Sequence, residues 1–242
     1  MKIRAVLFDA YGTLFDVYSV ALLAEQLFPS HGEHLALLWR DKQIEYTRLV
    51  SMSGRIAEAA DKPDARPGSG APFYVPFWEL TRAGLQWAAD RLQLTLSAAA
   101  EERLMNEYRH LSAFPENREV LTGLRTLGLP TGILSNGDPE MLGVAVRSAG
   151  LADVLDHVIS VHDTRRYKTD PAAYALGPTT LKLPAREILF VSSNGWDAIG
   201  ATWYGYTTMW INRLGLPLDK LGVTPTHTGR NLRDVLDCVG PR

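Results

Sequence analysis

The stretch Ala5-Val-Leu-Phe-Asp-Ala-Tyr-Gly-Thr13 decides how the fold of this chain is interpreted. It begins with an apolar run that has no polar alternation, which is typical of a strand buried on both faces in a parallel α/β sheet. In such sheets reactive groups lie outside the carboxyl ends of the strands, and Asp9 follows this strand directly. A strand-end aspartate can also simply cap the next turn through its side chain. Asp9 is therefore either a reactive carboxylate or a capping residue.

Further apolar runs with strand character recur along the chain, and helical patterns separate them. Strands are predicted at residues 3–8, 131–134, 157–161, 188–191 and 207–211. Helices are predicted between them at residues 115–127, 139–149, 171–181 and 196–204, and three of these open on a proline. This alternation is typical of βαβ units with right-handed crossovers. It predicts an α/β fold with a Rossmann-like parallel sheet as its core.

The interval from residue 17 to residue 111 has a different pattern, with helical periodicity and no clear strand. Helices are predicted there around residues 19–27, 33–50, 77–92 and 98–110. We therefore predict a core formed by residues 1–16 and 112–242, with residues 17–111 inserted as a helical cap subdomain. Within the cap, the segment near residues 53–72 contains a turn-rich run with few apolar anchors, and we predict an exposed loop there.

Composition limits the classes of partner. A chain of 242 residues with 46% hydrophobic content can bury one substantial core with a subdomain. A net charge of −2 gives no reason to expect nucleic acid or an anionic membrane as partner. The single cysteine, Cys238, excludes an intrachain disulfide and a multi-cysteine metal site. The chain opens without a signal-peptide pattern and contains no apolar run of about 18 to 20 residues, so a soluble cytoplasmic protein without membrane contact is expected.

Small polar residues close the second core strand. Ser135 and Asn136 follow the run 131–134, where hydroxyl, amide and helix N-terminal donors could hold a substrate carboxylate. Helix capping is the alternative role for this segment. Asp138, directly before Pro139, suits capping better than Ser135 or Asn136 does, so we predict that Asp138 caps the following helix.

Taken in order, four segments resemble the core motifs of the haloacid dehalogenase superfamily. They are Asp9-Ala-Tyr-Gly-Thr13, Ser135-Asn-Gly137, Lys168 before a helix, and Ser192-Ser-Asn-Gly-Trp-Asp197. In that superfamily the aspartate in the place of Asp9 is a covalent nucleophile, and the lysine in the place of Lys168 neutralises the nucleophile and the reaction charge.

Two variants within these motifs resemble the metal-independent L-2-haloacid dehalogenases specifically. Tyr11 lies where phosphatases of the superfamily carry a second aspartate that protonates the leaving group and helps to place Mg²⁺. Ser192 and Asn194 lie where phosphatases carry acidic residues that bind Mg²⁺ through oxygen. Tyr174, about two turns after Lys168, also falls where the dehalogenases carry a tyrosine.

The cap segment Trp39-Arg-Asp-Lys-Gln-Ile-Glu-Tyr46 extends the resemblance. Arg40 shares the side of a helix with Leu37 and Ile44, a spacing that an ordinary surface arginine would also satisfy. In the dehalogenase cap this arginine accompanies the substrate and the leaving halide, and a guanidinium suits either task because it stays charged and presents its donors as a planar fork. Asp41 replaces a neutral amide expected at that position, so we predict that it points away from the site or pairs with a cation.

The resemblance implies hydrolysis of short L-2-haloalkanoic acids to D-2-hydroxy acids through an aspartyl ester on Asp9, without a metal or other cofactor. It also implies a homodimer whose small-molecule partners are the 2-haloacid and the halide. The residues expected to carry catalysis are Asp9, Thr13, Arg40, Ser135, Lys168, Tyr174, Ser192, Asn194 and Asp197. Those expected to bind substrate are Ala10, Tyr11, Arg40, Phe77, Ser135, Asn136 and Trp196.

Two alternative functions remain open from the sequence. One is a Mg²⁺-dependent phosphatase or phosphonate hydrolase of the same superfamily, with Asp9 and Asp197 as metal ligands. The other is a non-catalytic binding protein that kept the fold and lost turnover. Halide release from 2-chloropropionate in the absence of metal would distinguish the three.

Overall fold

Six parallel strands form a single sheet within residues 2–59 and 73–240, the part of the chain that the computed structural model describes. The strands are β1 (Ala5–Phe8), β2 (Thr131–Ser135), β3 (His157–Ser160), β4 (Ile188–Ser192), β5 (Thr207–Ile211) and β6 (His227–Gly229). Their order is β3-β2-β1-β4-β5-β6, so β1 has β2 on one side and β4 on the other. The predicted parallel α/β core is confirmed.

The central strands are buried along their whole length. All residues of β1, β2 and β4 are buried, which explains why their sequences are apolar without alternation. In register, Leu7 of β1 lies opposite Gly132 and Phe190. A Cβ at Gly132 would lie 2.9 Å from the Cβ of His157 and 3.0 Å from Cδ2 of Leu7, so glycine allows this close approach within the sheet.

Four helices lie between β1 and β2 in the sequence and form the inserted cap that the sequence predicts. They are α1 (Ala21–Leu27), α2 (Gly32–Ala59), α3 (Phe77–Arg91) and α4 (Ala98–Arg109). Helix α2 continues beyond its predicted end at residue 50, so residues 53–59 are helical and the loop prediction is wrong there. The rest of the predicted loop, residues 60–72, lies outside the described residues.

The remaining helices flank the sheet. They are α5 (Asn117–Thr126), α6 (Pro139–Ser148), α7 (Pro171–Leu181), α8 (Gly195–Tyr204) and α9 (Arg233–Val239). Helices α5 to α8 correspond to predicted ones. Helix α9 and the short strand β6 were not predicted. A three-residue strand such as β6 has no apolar run long enough to recognise.

The carboxyl ends of β1, β2 and β4 meet at one edge of the sheet, because these strands are parallel neighbours. Asp9 follows β1, Ser135 ends β2 and Ser192 ends β4. Helices α2 and α3 bring Arg40 and Phe77 to the same place. Within the described ranges, no helix combines the length and the apolar character that crossing a bilayer requires.

Candidate active site

The carboxylate of Asp9 is surrounded by donors. Its Oδ1 accepts a hydrogen bond from Lys168 Nζ at 3.0 Å. Its Oδ2 accepts hydrogen bonds from Thr13 Oγ1 at 3.0 Å and from Asn194 Nδ2 at 2.8 Å. An ionised carboxylate can accept all three, because each oxygen has two lone pairs. No backbone N–H of the next turn donates to this carboxylate among the described hydrogen bonds, so the capping alternative has no support.

The ammonium group of Lys168 lies between two carboxylates. Its Nζ donates to Asp9 Oδ1 and to Asp197 Oδ2, each at 3.0 Å, and the side chain is fully buried. Burial lowers the pKa of Lys168, but the charges of Asp197 and Asp9 outweigh this effect, so its pKa is raised. The lysine is therefore a buried cation that holds the two carboxylates together.

Asp197 lies in the first turn of α8 and is fully buried. Burial raises the pKa of Asp197 to about 6 against the opposing effect of Lys168, and the charge of Asp9 adds to the rise. The hydroxyl of Tyr174 donates to Asp197 Oδ1 at 2.7 Å. Burial, followed by the charge of Asp197, keeps the pKa of Tyr174 well above its ordinary value, so this hydroxyl stays protonated. Asp197 is thus a carboxylate whose ionisation lies close to neutral pH.

Arg40 reaches the site from α2 and is 7% exposed. Its Nη2 donates to the carbonyl oxygen of Tyr11 at 2.9 Å and lies 3.4 Å from Asn194 Oδ1. Its Nη1 donates to Gln43 Oε1 at 2.7 Å. The alternative interpretation of Arg40 as an ordinary surface arginine, which the helical spacing allowed, is therefore wrong. The neighbouring Asp41 is exposed and does not line the cleft, in agreement with one of the two placements predicted for it.

A small cleft lies over Asp9. Its lining residues are Asp9, Tyr11, Arg40, Ile44, Phe77, Ser135, Asn136 and Trp196. The ring of Tyr11 packs against Phe77, with the ring centroids 5.6 Å apart. Burial raises the pKa of Tyr11 well above its ordinary value, so this wall stays uncharged. The cleft therefore combines a carboxylate, a guanidinium and an apolar wall, and it suits a small anion with an apolar part.

Several predicted residues hold other parts of the site instead of lining the cleft. The hydroxyl of Thr13 donates to Asp9 and accepts from the backbone N–H of Ser193 at 2.8 Å. Ser192 Oγ accepts from the backbone N–H of Asn194 at 3.1 Å, which fixes the turn that carries Asn194. Ala10 is buried outside the lining set, and its carbonyl oxygen accepts backbone N–H groups of the turn that follows Asp9.

Three residues of the site region were missed from the sequence. Gln43 contacts Arg40, Ile44 lines the cleft, and Tyr108 donates to Gln43 Oε1 at 3.0 Å. Gln43 and Ile44 lie three and four residues after Arg40, so helical spacing contained a signal for both. Tyr108 lies on α4, and nothing in the sequence pairs it with α2.

Asp138 does not cap α6 as predicted. Its carboxylate instead accepts the backbone N–H groups of Phe77 at 3.2 Å and Trp78 at 2.7 Å, at the start of α3. It also contacts His162 Nδ1 at 3.0 Å. The first N–H groups of a helix lack partners within the helix and attract negative charge, so the Asp138 carboxylate caps α3 and not the helix that it precedes. A core residue therefore fixes the end of the helix that carries Phe77.

Comparison with known proteins assigns this fold and site to a family. The family model of haloacid dehalogenase-like hydrolases matches residues 3–205, and the chain belongs to that family. Within it, the chain belongs to the (S)-2-haloacid dehalogenases, which are hydrolases acting on carbon–halide bonds. The resemblance stated from the sequence motifs is confirmed.

Individual relatives match over nearly the full length. The (S)-2-haloacid dehalogenase of Pseudomonas sp. (strain YL) is 39% identical over 235 residues, covering 97% of this chain and 94% of the relative. The solved L-2-haloacid dehalogenase RSc1362 is 56% identical, with a TM-score of 0.92 and 100% of both chains covered. The L-2-haloacid dehalogenase from Xanthobacter autotrophicus, solved with chloropropionic acid covalently bound, is 33% identical, with a TM-score of 0.85 and 98% of both chains covered.

Proposed function

We propose that this protein hydrolyses short L-2-haloalkanoic acids to D-2-hydroxy acids through an ester on Asp9, without a metal ion. One observation carries the proposal: the carboxylate of Asp9, paired with Lys168, lies in the same cleft as the buried guanidinium of Arg40. The first can attack carbon, and the second can hold an anion. The relative with covalently bound chloropropionic acid supports a covalent route.

In the first step, a carboxylate oxygen of Asp9 attacks C2 of the substrate in line with the carbon–halogen bond. The new C–O bond forms as the halide departs with the bonding electrons, which inverts the stereocentre. Arg40 lines the cleft and supplies donors for the substrate carboxylate or the departing halide. Asn136 supplies a donor for the halide, and Ser135 supplies a hydroxyl for the substrate carboxylate. The rings of Tyr11 and Phe77 keep the reacting carbon away from water.

In the second step, water attacks the carbonyl carbon of the Asp9 ester. Asp197 takes a proton from this water, because its carboxylate lies next to Asp9 across the shared Lys168 ammonium and is ionised above a pKa of about 6. Lys168, Thr13 and Asn194 already donate to the carboxylate oxygens of Asp9, so they can stabilise negative charge on the tetrahedral intermediate. Collapse of the intermediate breaks the bond between the Asp9 carbonyl carbon and the product oxygen. The proton held by Asp197 passes to the alkoxide, which leaves as the 2-hydroxy acid. The second proton of the water remains on the carboxyl group of Asp9 and is released to solvent, which restores the carboxylate for the next turnover.

The Lys168 ammonium supports a route without metal. It already bridges Asp9 and Asp197, the pair that a Mg²⁺ ion would have to share in the phosphatase alternative. The position two residues after Asp9 and the end of β4 supply neutral groups, from Tyr11, Ser192 and Asn194. Among described residues, no group of three His, Cys, Asp or Glu side chains is arranged to hold a metal ion. No specific observation favours the phosphatase or the binding protein.

Chloride release from L-2-chloropropionate in excess EDTA tests this function. We expect turnover to persist after exhaustive chelation, with D-lactate as the product on a chiral column. p-Nitrophenyl phosphate with Mg²⁺ is the control substrate for the phosphatase alternative. Loss of chloride release in EDTA with recovery on Mg²⁺ addition would contradict the proposal, and so would phosphate release without chloride release.

The pH dependence of turnover tests the role of Asp197. The ionised carboxylate is the proton acceptor, and its pKa is raised to about 6 while Asp9 is also ionised, because the charge of Asp9 contributes to the rise. The ester on Asp9 removes that charge, so kcat should fall in the acid range, at or below about pH 6. Below that value the decline should approach about tenfold per pH unit, because each unit lowers the ionised fraction tenfold. Stopped-flow measurement of ester hydrolysis between pH 4.5 and 8 checks this. A rate constant that stays level down to the lowest pH of this range would exclude Asp197 as the base.

We also propose that the protein is a homodimer in the cytoplasm, with core and cap divided at residues 16/17 and 111/112. The homodimer rests on the family resemblance, and the cytoplasmic location rests on the sequence-based expectation. The position of α1 to α4 between β1 and β2 supports the division. Sedimentation equilibrium would test the homodimer, and cell fractionation would test the cytoplasmic location.

A further inference from the structure

Gln43 is a polar side chain buried at 0% exposure, one helical turn after Arg40 on α2. It lies where α2 meets α3 and α4, and it is not among the residues that line the cleft. A buried amide needs partners for both its oxygen and its nitrogen, because an unpaired polar group in the interior is costly.

The partners of Gln43 fix the orientation of its amide. Its Oε1 accepts from Arg40 Nη1 at 2.7 Å and from the hydroxyl of Tyr108 at 3.0 Å. Its Nε2 donates to Thr81 Oγ1 at 2.6 Å. The hydroxyl of Thr81 already donates its proton to the carbonyl oxygen of Phe77 at 2.8 Å, so toward Gln43 it can only accept. The amide oxygen therefore has to face Arg40.

The acceptors of Arg40 within the described part of the chain are all uncharged. They are the amide oxygen of Gln43, the carbonyl oxygen of Tyr11 and the amide oxygen of Asn194. A nearly buried guanidinium without a carboxylate partner keeps its full attraction for an incoming anion, because the surroundings screen it less than water would. A glutamate at position 43 would cancel that attraction.

We propose that Gln43 is a positioning residue for anion binding by Arg40. Its amide oxygen holds Nη1, so that Nη2 stays at the turn after Asp9, and it does so without neutralising the guanidinium. The anion is the substrate carboxylate or the departing halide. This inference rests on the proposed function, since it assumes that Arg40 binds the anion in the cleft.

Two substitutions separate the hydrogen bond from the charge. Gln43→Met keeps the approximate shape of the side chain and removes the oxygen that accepts from Arg40. The KM for L-2-chloropropionate and the Kd of bromide for the free enzyme should each rise about tenfold, as expected for the loss of one charge-assisted hydrogen bond. Gln43→Glu should raise both further, because its carboxylate competes with the anion for Arg40. In both variants kcat should change less than KM.

Thr47→Val is the matched control. Thr47 is buried on the same helix one turn later, and its hydroxyl donates to the carbonyl oxygen of Ile44. Its KM and bromide Kd should stay at the wild-type values even if the protein loses some stability. Circular dichroism and thermal unfolding show whether each variant is folded. If both Gln43 variants fail to fold, Thr81→Val replaces them, since it frees the Gln43 amide to rotate and should raise the bromide Kd about threefold.

Calorimetry with bromide measures anion binding without turnover, so this test stands apart from that of the proposed function. A wild-type protein that releases no halide from any 2-haloacid would contradict the proposed function. Folded Gln43→Met and Gln43→Glu variants with the wild-type bromide Kd would overturn the positioning role. An equal rise in Thr47→Val would overturn it as well, because the effect would then come from the packing of α2.

Discussion

Asp9→Asn should lose halide release from L-2-chloropropionate by more than about a thousandfold, the scale seen when a covalent nucleophile is removed. A neutral amide is a far weaker nucleophile than a carboxylate, and it removes one of the two negative charges that face Lys168. Asparagine has nearly the same shape, so circular dichroism should report a folded protein. Halide release above about a tenth of the wild-type rate would contradict a nucleophilic role for Asp9.

A single turnover in ¹⁸O-water distinguishes attack by Asp9 from direct attack by water. With enzyme in excess over substrate, the ester route places the label in the carboxylate of Asp9, and the product takes its hydroxyl oxygen from the unlabelled side chain. Mass spectrometry of the peptide that contains Asp9 measures this. Both routes invert the stereocentre, so product configuration alone cannot separate them. Label found in the first-turnover product would make Asp9 a general base instead of a nucleophile.

Lys168→Met should be the second most damaging change, with activity reduced by more than about a hundredfold. It removes the cation shared by Asp9 and Asp197 and leaves two buried carboxylates facing each other. The pKa of Asp197, already raised to about 6, should rise further, which withdraws the ionised base at neutral pH. A stability loss of about 3 to 5 kcal/mol is expected, because a buried ion pair has lost one partner.

Halide release and thermal unfolding measure the two effects of Lys168→Met separately. Lys182→Met is the control, because Lys182 is exposed at the end of α7, and its loss should leave both properties near the wild-type values. Activity of a folded Lys168→Met protein close to that of the wild type would exclude Lys168 from the reaction.

The parts of the site that follow from topology could be predicted from the sequence. Asp9, Ser135 and Ser192 each end an apolar run, and parallel neighbouring strands bring their carboxyl ends together whatever the details of packing. Lys168 was identified through its place before a helix and through the family resemblance. Its contact with Asp197 then closes the cluster at the same edge of the sheet.

The parts that depend on how the cap packs could not be predicted in the same way. Tyr108 meets Gln43 across two cap helices, and no sequence period relates positions on different helices. Asp138 carries an ordinary helix-capping pattern before α6. Its carboxylate nevertheless accepts the first backbone N–H groups of α3, because the packing of the cap on the core brings the start of α3 next to Asp138. Local signals identify a capping residue, but they do not identify which helix it serves.

The Asp138 carboxylate has a consequence for exchanging parts between proteins of this family. Helix α3 begins after Pro76, which offers no side-chain hydrogen bond to the helix, so the core supplies the missing acceptor. A cap transplanted onto a foreign core would lose that acceptor unless the new core carried an acid at the equivalent place. A chimera that exchanges only the cap residues, cut at the two connections between core and cap, would then have a frayed first turn in α3, the turn that contains Phe77. The cap should therefore be transferred together with the loop that carries Asp138 wherever the new core lacks such an acid.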